Sequence, residues 1–190
     1  MTIKSDLVVD AKGLSCPMPI VKAKKGMEQI EPGQVMELQA TDRGSLADIQ
    51  GWAKGTGHQY LGSTEEGDLL KHYLRKANPN EMKEEVKYEH VIRNEELAAK
   101  MDQNEPLVVL DVRESAEYAF QHIPGAVSIP LGELESRIGE LKKDDQFYVI
   151  CRTGNRSDIA CKTLADHGFE HVANVVPGMS EWTGRVEKEV

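Results

Sequence analysis

Phe147-Tyr148-Val149-Ile150-Cys151-Arg152-Thr153-Gly154-Asn155-Arg156-Ser157 decides the fold of the second half of the chain. The four leading residues form a continuous apolar run, the mark of a central strand in a parallel sheet covered on both faces. A helical pattern then continues to about His167. A strand that enters a short loop and leaves as a helix lets the loop amides converge on one anion. Gly154 permits the unusual backbone angles such a cradle needs. Cys151 opens the loop, where its charged forms can accept hydrogen bonds from those amides. Arg152 and Arg156 are expected to add positive charge near the mouth, and Thr153, Asn155 and Ser157 complete the candidate anion-binding loop.

Working outward, Asn94 to Met101 predicts a helix with Leu97, Ala98 and Met101 on one face, and Leu107-Val108-Val109-Leu110 a second buried strand. That strand ends in Asp111-Val112-Arg113-Glu114; Asp111 and Arg113 either support the Cys151 loop or form a buried structural pair. Ser115 to Gln121 reads as a short helix and Val127-Ser128-Ile129 as a short strand. Leu131, Leu134, Ile138 and Leu141 make a helical stripe, and His171 to Val176 closes the sheet. Alternating strands and helices predict an α/β domain with a parallel sheet.

This half resembles the rhodanese domain. Asp111-Val112-Arg113-Glu114, His122-Ile123-Pro124-Gly125-Ala126, the Cys151–Ser157 loop and Pro177-Gly178-Met179…Trp182 match that family in order and spacing, over residues 86–183. Gln121 stands where many relatives have Gly. The resemblance implies Cys151 as the sulfur-accepting nucleophile and the loop after it as the anion cradle. Phosphatases share the fold but place Arg after Cys-x5, whereas Arg156 follows Cys151 in a Cys-x4-Arg arrangement. By resemblance, the shorter loop suits the outer sulfur of thiosulfate or a persulfide. Cys161, spaced with Leu164 and Ala165, reads as core rather than as a resolving thiol. His122 reads as a satisfied turn histidine.

In the first half, Leu7-Val8-Val9-Asp10 predicts a strand, and Ile20, Ala23, Met27 and Ile30 give one apolar helical stripe, with Lys22, Lys24, Lys25 and Glu28 on the wet side. Val35 to Ala40 alternates as a strand. A second helix is expected from Ser45 to Lys54, capped by Asp42 or Ser45 and closed by Gly55 and Gly57. His58–Leu61 and Leu69–Leu74 read as a hairpin, giving the order βαβαββ. Cys16 stands where the first helix starts, with Pro17 expected at the first helical position. The positive helix end there favours a thiolate or persulfide anion, while Pro17 and Pro19 remove two backbone donors. A buried structural cysteine beside a Pro-rich turn fits the spacing equally well.

Asp10-Ala11-Lys12-Gly13-Leu14-Ser15-Cys16-Pro17-Met18-Pro19 resembles the signature of TusA/SirA-type sulfur carriers, and the match extends through Pro32-Gly33, Thr41-Asp42, Trp52 and Gly57-His58. In that family the cysteine carries a persulfide sulfur between partners, on a two-layer βαβαββ sandwich.

Charge supports two modules. Residues 1–78 carry 10 basic and 10 acidic residues, whereas residues 79–190 carry 13 and 22. The boundaries expected are a carrier domain over 1–77, a polar linker over 78–87 and a rhodanese domain over 88–190. The fold class is thus α+β in the first module and α/β in the second. A net charge of −9 without a basic cluster argues against direct nucleic-acid binding. No apolar run reaches the roughly 18 residues of a membrane span. The N-terminus has no signal-peptide core. Three cysteines make no disulfide framework, so a cytoplasmic protein with reduced thiols is expected. The six histidines show no paired metal spacing, so no metal is expected.

The expected function is a sulfurtransferase without a separate cofactor. Cys151 takes sulfur from thiosulfate or a low-molecular-weight persulfide, and Cys16 relays it as a covalent persulfide to an acceptor protein or thiol. The alternatives are a persulfide-sensing or carrier module without turnover, and a cysteine phosphatase.

Overall fold

In a computed structural model the chain divides into two compact units, Met1–Pro79 and Asn80–Glu189. The structure describes residues 2–79 and 88–190. The linker expected over 78–87 lies, apart from its first two residues, outside the described residues.

The first unit runs β1 (Leu7–Ala11), α1 (Met18–Gln29), β2 (Val35–Ala40), α2 (Ser45–Thr56), β3 (Gln59–Glu66), β4 (Leu69–Arg75). Its four-stranded sheet has the order β1-β2-β4-β3, with β1 parallel to β2 and the other pairs antiparallel. Ala23, Met27 and Ile30 of the predicted stripe pack with Met36, Leu38 and Leu74 of the sheet and Ile49 and Ala53 of α2. β2 is buried at five of its six positions, as a strand flanked on both sides must be. β3 runs five residues beyond the predicted segment, through Gly62 and polar Ser63–Glu66. It lies at the sheet edge and is only half-buried, so no apolar alternation marks it.

Two local expectations are corrected. α2 passes through Gly55 to Thr56, beyond the expected end at Lys54, and closes on Gly57, the expected glycine, in the left-handed conformation. Gly44, not Asp42 or Ser45, occupies its N-cap position. Asp42 instead accepts the Gly44 amide through Oδ1, and the Ser45 hydroxyl turns inward to His72 Nε2 at 3.0 Å.

His72 is fully buried, between Ser45 and the Tyr60 hydroxyl, which lies 2.9 Å from Nδ1. Burial lowers its pKa to about 4. Between pH 4 and 6.5 the unfolded chain therefore holds a proton that the folded unit excludes. Its contribution to stability is complete above pH 6.5 and is lost as pH falls towards 4. The loss expected is on the order of 3 kcal/mol. Denaturant unfolding followed by Trp52 fluorescence, in a Trp182→Phe background, should show this slope, and His72→Phe should flatten it. Parallel pH profiles for the two proteins would rule the assignment out.

The second unit runs β5 (Val91–Arg93), α3 (Asn94–Asp102), β6 (Val108–Asp111), α4 (Ser115–Phe120), β7 (Val127–Ser128), α5 (Leu134–Arg137), β8 (Phe147–Ile150), α6 (Asn155–Asp166), β9 (Val172–Val176). All pairings are parallel, in the order β5-β9-β8-β6-β7. Alternation along β8 sends Phe147, Val149 and Cys151 into a core with Cys161 and Leu164 of α6. It sends Tyr148 and Ile150 to the opposite face, with Leu97 of α3. The sheet is thus covered on both sides, which is why β8 reads as an unbroken apolar run.

β5 was not anticipated, because a three-residue edge strand with one buried position leaves no periodic signal. The Leu131–Leu141 stripe is not one helix. It breaks into a 3-10 turn (Leu131–Glu133), the four-residue α5, and a second 3-10 turn (Ile138–Glu140). Gly132 and Gly139 lower helix propensity within that segment. No helix of the described residues is long and apolar enough to cross a membrane.

Candidate functional sites

Cys151 sits at the C-terminal end of β8, between the sheet and α6. Its side chain is 1% exposed, at the base of the loop rather than on it. The Gly154 amide donates to Sγ at 3.1 Å, and the Ser157 hydroxyl lies 3.3 Å from Sγ. Gly154 has φ +93, the left-handed turn that bends the chain back over the sulfur before α6 begins.

The polarity of the loop comes from outside it. The Cys151 carbonyl accepts from the Met179 amide at 2.8 Å, and the Arg152 carbonyl from the Ser180 amide at 2.9 Å. In a trans peptide the N–H points opposite to the C=O. Tying these two carbonyls back to the 179–180 turn therefore aims the Arg152 and Thr153 amides away from that turn. Asn94, buried at the start of α3, holds the turn in place. Its Nδ2 donates to the Gly178 carbonyl at 2.9 Å, and its Oδ1 accepts the Gly178 amide at 3.2 Å. Such preorganised donors stabilise negative charge at an adjacent atom.

Cys16 has the opposite setting. It is exposed, one residue before Pro17, and Pro17 occupies the N-cap of α1 rather than the predicted first helical position. The amides of the first turn are all used or missing. Pro17 and Pro19 have none, Met18 N–H donates to the Ser15 carbonyl, and Ile20 and Val21 N–H donate to the Pro17 carbonyl. Asp42 Oδ2 accepts the Cys16 amide at 3.3 Å. A side-chain hydrogen bond with Asp48 raises the Cys16 pKa above the ordinary thiol value, with Asp42 adding to it. The expectation that the helix end favours the Cys16 anion is thereby corrected: no free amide faces the sulfur and two carboxylates do. Met18 and Val21 are exposed beside it.

Residues 7–76 match the family described as "Sulfurtransferase TusA", and residues 93–185 match the "Rhodanese-like domain". "Putative sulfur carrier protein YrkF" of Bacillus subtilis (strain 168) is 50% identical over 185 residues, covering 97% of this chain and 100% of that protein. The chain belongs to the TusA–rhodanese family of sulfur carriers and sulfurtransferases. The TusA unit alone is 42% identical over 72 residues to "Sulfur carrier protein TusA" of Allochromatium vinosum, covering 38% of this chain and 95% of that protein. The rhodanese unit is similar to the crystal structure of a rhodanese-like domain protein from Staphylococcus aureus. That likeness has a TM-score of 0.50 and 28% identity, and covers 53% of this chain and 99% of that one.

Within the rhodanese unit, Arg152, Thr153 and Asn155 are partly exposed around the loop. Arg156 is not the open cation expected near the mouth. It is buried in a two-pronged pair with Glu117 of α4, at 2.7 and 3.1 Å. Asp111 and Arg113 resolve as a buried pair, 2.6 Å apart, with Arg113 also donating to the Gln121 carbonyl. They brace the β6–α4 turn. His122 is buried against Tyr118, at a ring separation of 3.8 Å, and bonded to the Tyr118 carbonyl and Glu187. Burial pushes the Cys161 thiol strongly up, in keeping with a core residue.

Four residues that shape the rhodanese site carried no assigned role in the sequence: Asn94, Glu117, Asn174 and Gly178. Asn174 left a signal, a polar residue within the apolar run Val172–Val176. Gly178 left another, next to Pro177 in the matched motif.

Proposed function

We propose that the rhodanese unit takes sulfane sulfur from thiosulfate or a low-molecular-weight persulfide onto Cys151, and that Cys16 of the TusA unit carries it as a persulfide to an acceptor protein or thiol. The observation that supports this best is the Cys151 loop, with its sulfur under the Gly154 amide and its carbonyls turned out to Met179 and Ser180.

In the loading step the Cys151 thiolate attacks the outer sulfur of thiosulfate. The sulfur–sulfur bond of the donor breaks, and its electron pair leaves with sulfite. The anionic product on Cys151 then lies among amide donors. The sulfur travels covalently, so the reading calls for no separate cofactor. It also suits a reducing cytoplasmic setting and no contact with nucleic acid. A tether that lets both cysteines meet would raise their effective concentration towards millimolar.

The two carboxylates at Cys16 favour one refinement. Negative charge there opposes an anionic donor such as thiosulfate, so Cys16 is expected to load from a protein persulfide and not from thiosulfate directly. Wild type, Cys16→Ser and Cys151→Ser should be incubated with thiosulfate and their intact masses read, with peptide mapping of any gain of about 32 Da, one sulfur. Cys151 should load in Cys16→Ser, and Cys16 should stay bare in Cys151→Ser. Independent loading of Cys16 contradicts the relay, and loading of neither cysteine contradicts thiosulfate as donor. Full loading without steady-state turnover would favour a sensing role.

A further inference from the structure

Behind Cys151 lies a buried polar chain that the loading step does not use. The Asn174 amide is oriented unambiguously: its Nδ2 donates to the Gly154 carbonyl at 3.1 Å, so its Oδ1 faces Ser157. Ser157 Oγ donates to that Oδ1 at 2.5 Å. A hydroxyl has one proton. With that proton on Asn174, Ser157 presents a lone pair to Cys151 Sγ, 3.3 Å away. Both residues are fully buried, so water does not compete for these bonds.

On the Ser157 side this arrangement suits a neutral Cys151 sulfur: towards a thiolate the Gly154 amide donates, but Ser157 presents a lone pair. A thiol can donate its S–H to the Ser157 lone pair, and the inner sulfur of a persulfide bears little charge. A thiolate needs donors. We propose that Asn174 is a positioning residue that keeps the Ser157 proton off Cys151 while that sulfur is a thiol or part of a persulfide, and yields it by hydroxyl rotation when the sulfur becomes a thiolate.

The inference rests on the reading of Cys151 as the sulfur-accepting thiol and gives one of its steps a cause. When an acceptor thiolate attacks the outer sulfur of the Cys151 persulfide, a new sulfur–sulfur bond forms and the old one breaks. The electron pair stays on Cys151 Sγ as a thiolate, and the outer sulfur leaves on the acceptor as the acceptor's persulfide. At that moment the Ser157 O–H turns from Asn174 to the departing sulfur. A hydrogen bond made to the product thiolate but not to the resting persulfide lowers the barrier rather than the ground state.

The test needs no sulfur donor. Ultraviolet thiolate absorbance of Cys151 is titrated against pH in a Cys16→Ser background, for Asn174→Leu, Ser157→Ala and their combination. Removing the competing acceptor should move the Asn174→Leu curve to lower pH by about half a unit or more, and Ser157→Ala should move it up by about one unit. In the double variant Asn174→Leu should add nothing to Ser157→Ala. An equal shift from Asn174→Leu with and without Ser157 overturns the proposal, because a residue that merely braces Gly154 acts in both backgrounds. An unmoved curve for Asn174→Leu overturns it as well. Asn174→Ala serves the same comparison should the leucine variant fail to fold. Failure of Cys151 to acquire sulfur would instead show in the mass measurement, so the two readings fail separately.

Discussion

Gly178→Ala is expected to lower sulfur loading of Cys151 by at least about 100-fold, the penalty of misplacing reacting groups by an ångström or so. The backbone there has φ +98 and ψ −161, a region that side chains avoid. A Cβ would stand 2.5 Å from the Cys151 carbonyl and 2.9 Å from that of Arg152, the two oxygens the turn holds away from the loop. Both obstacles are backbone atoms, so no rotamer change relieves them. Relief requires the 178–180 turn to withdraw. That would release the Met179 and Ser180 bonds and let the first two loop peptides rotate. Thermal melting should show a loss of about 3 kcal/mol or more. The decisive measurement is the loading rate at a temperature where the variant is folded. A rate within about threefold of wild type would show that the carbonyl tie-back does not set the cradle.

The buried Arg156–Glu117 pair gives the second large effect. Glu117→Ala should destabilise the rhodanese unit by about 3–5 kcal/mol, because it strands a guanidinium in the interior. Glu117 Oε2 also accepts the Glu114 amide at the start of α4, so the same change removes a helix cap. Replacing both partners with apolar groups, Glu117→Leu with Arg156→Met, should recover most of that loss. Chemical denaturation followed by Trp182, in a Trp52→Phe background, measures both. The double variant also tests the chemistry. If the 156 charge is committed to Glu117, Cys151 still loads in the folded double variant. A loss beyond about tenfold there would mean that the Arg156 charge reaches the donor.

The sheets were legible because β6 and β8 are apolar runs and β2 alternates apolar with polar residues, all punctuated by Gly, Pro and Asp. Cys151 was legible because a strand, a short Gly-containing loop and a helix follow one another within about ten residues. Relations across the chain left no such trace. Asn94 meets Gly178 across 84 residues and Arg156 meets Glu117 across 39, and nothing local at either partner announces the other. The same holds at Cys16: its helix start was readable, but Asp42 comes from a loop 26 residues later and reverses the expected electrostatics. The broken helix over 131–140 shows the converse, a correct apolar period carried by a segment that two glycines keep from forming one helix.

The position of β9 has a consequence for how the chain is made. The last strand of the sequence is second in its sheet, between β5 and β8, and β5 pairs with it alone. The TusA unit has all its strands once Arg75 has emerged from the ribosome. The rhodanese sheet cannot join its first strand to the rest until Val172–Val176 arrives, some 80 residues after Val91 was added. A chain arrested between Ile150 and Val172 carries one edge of β8 unpaired and apolar, the kind of edge that draws a neighbour into aggregation. A pause in synthesis across that stretch therefore prolongs the exposure of that edge.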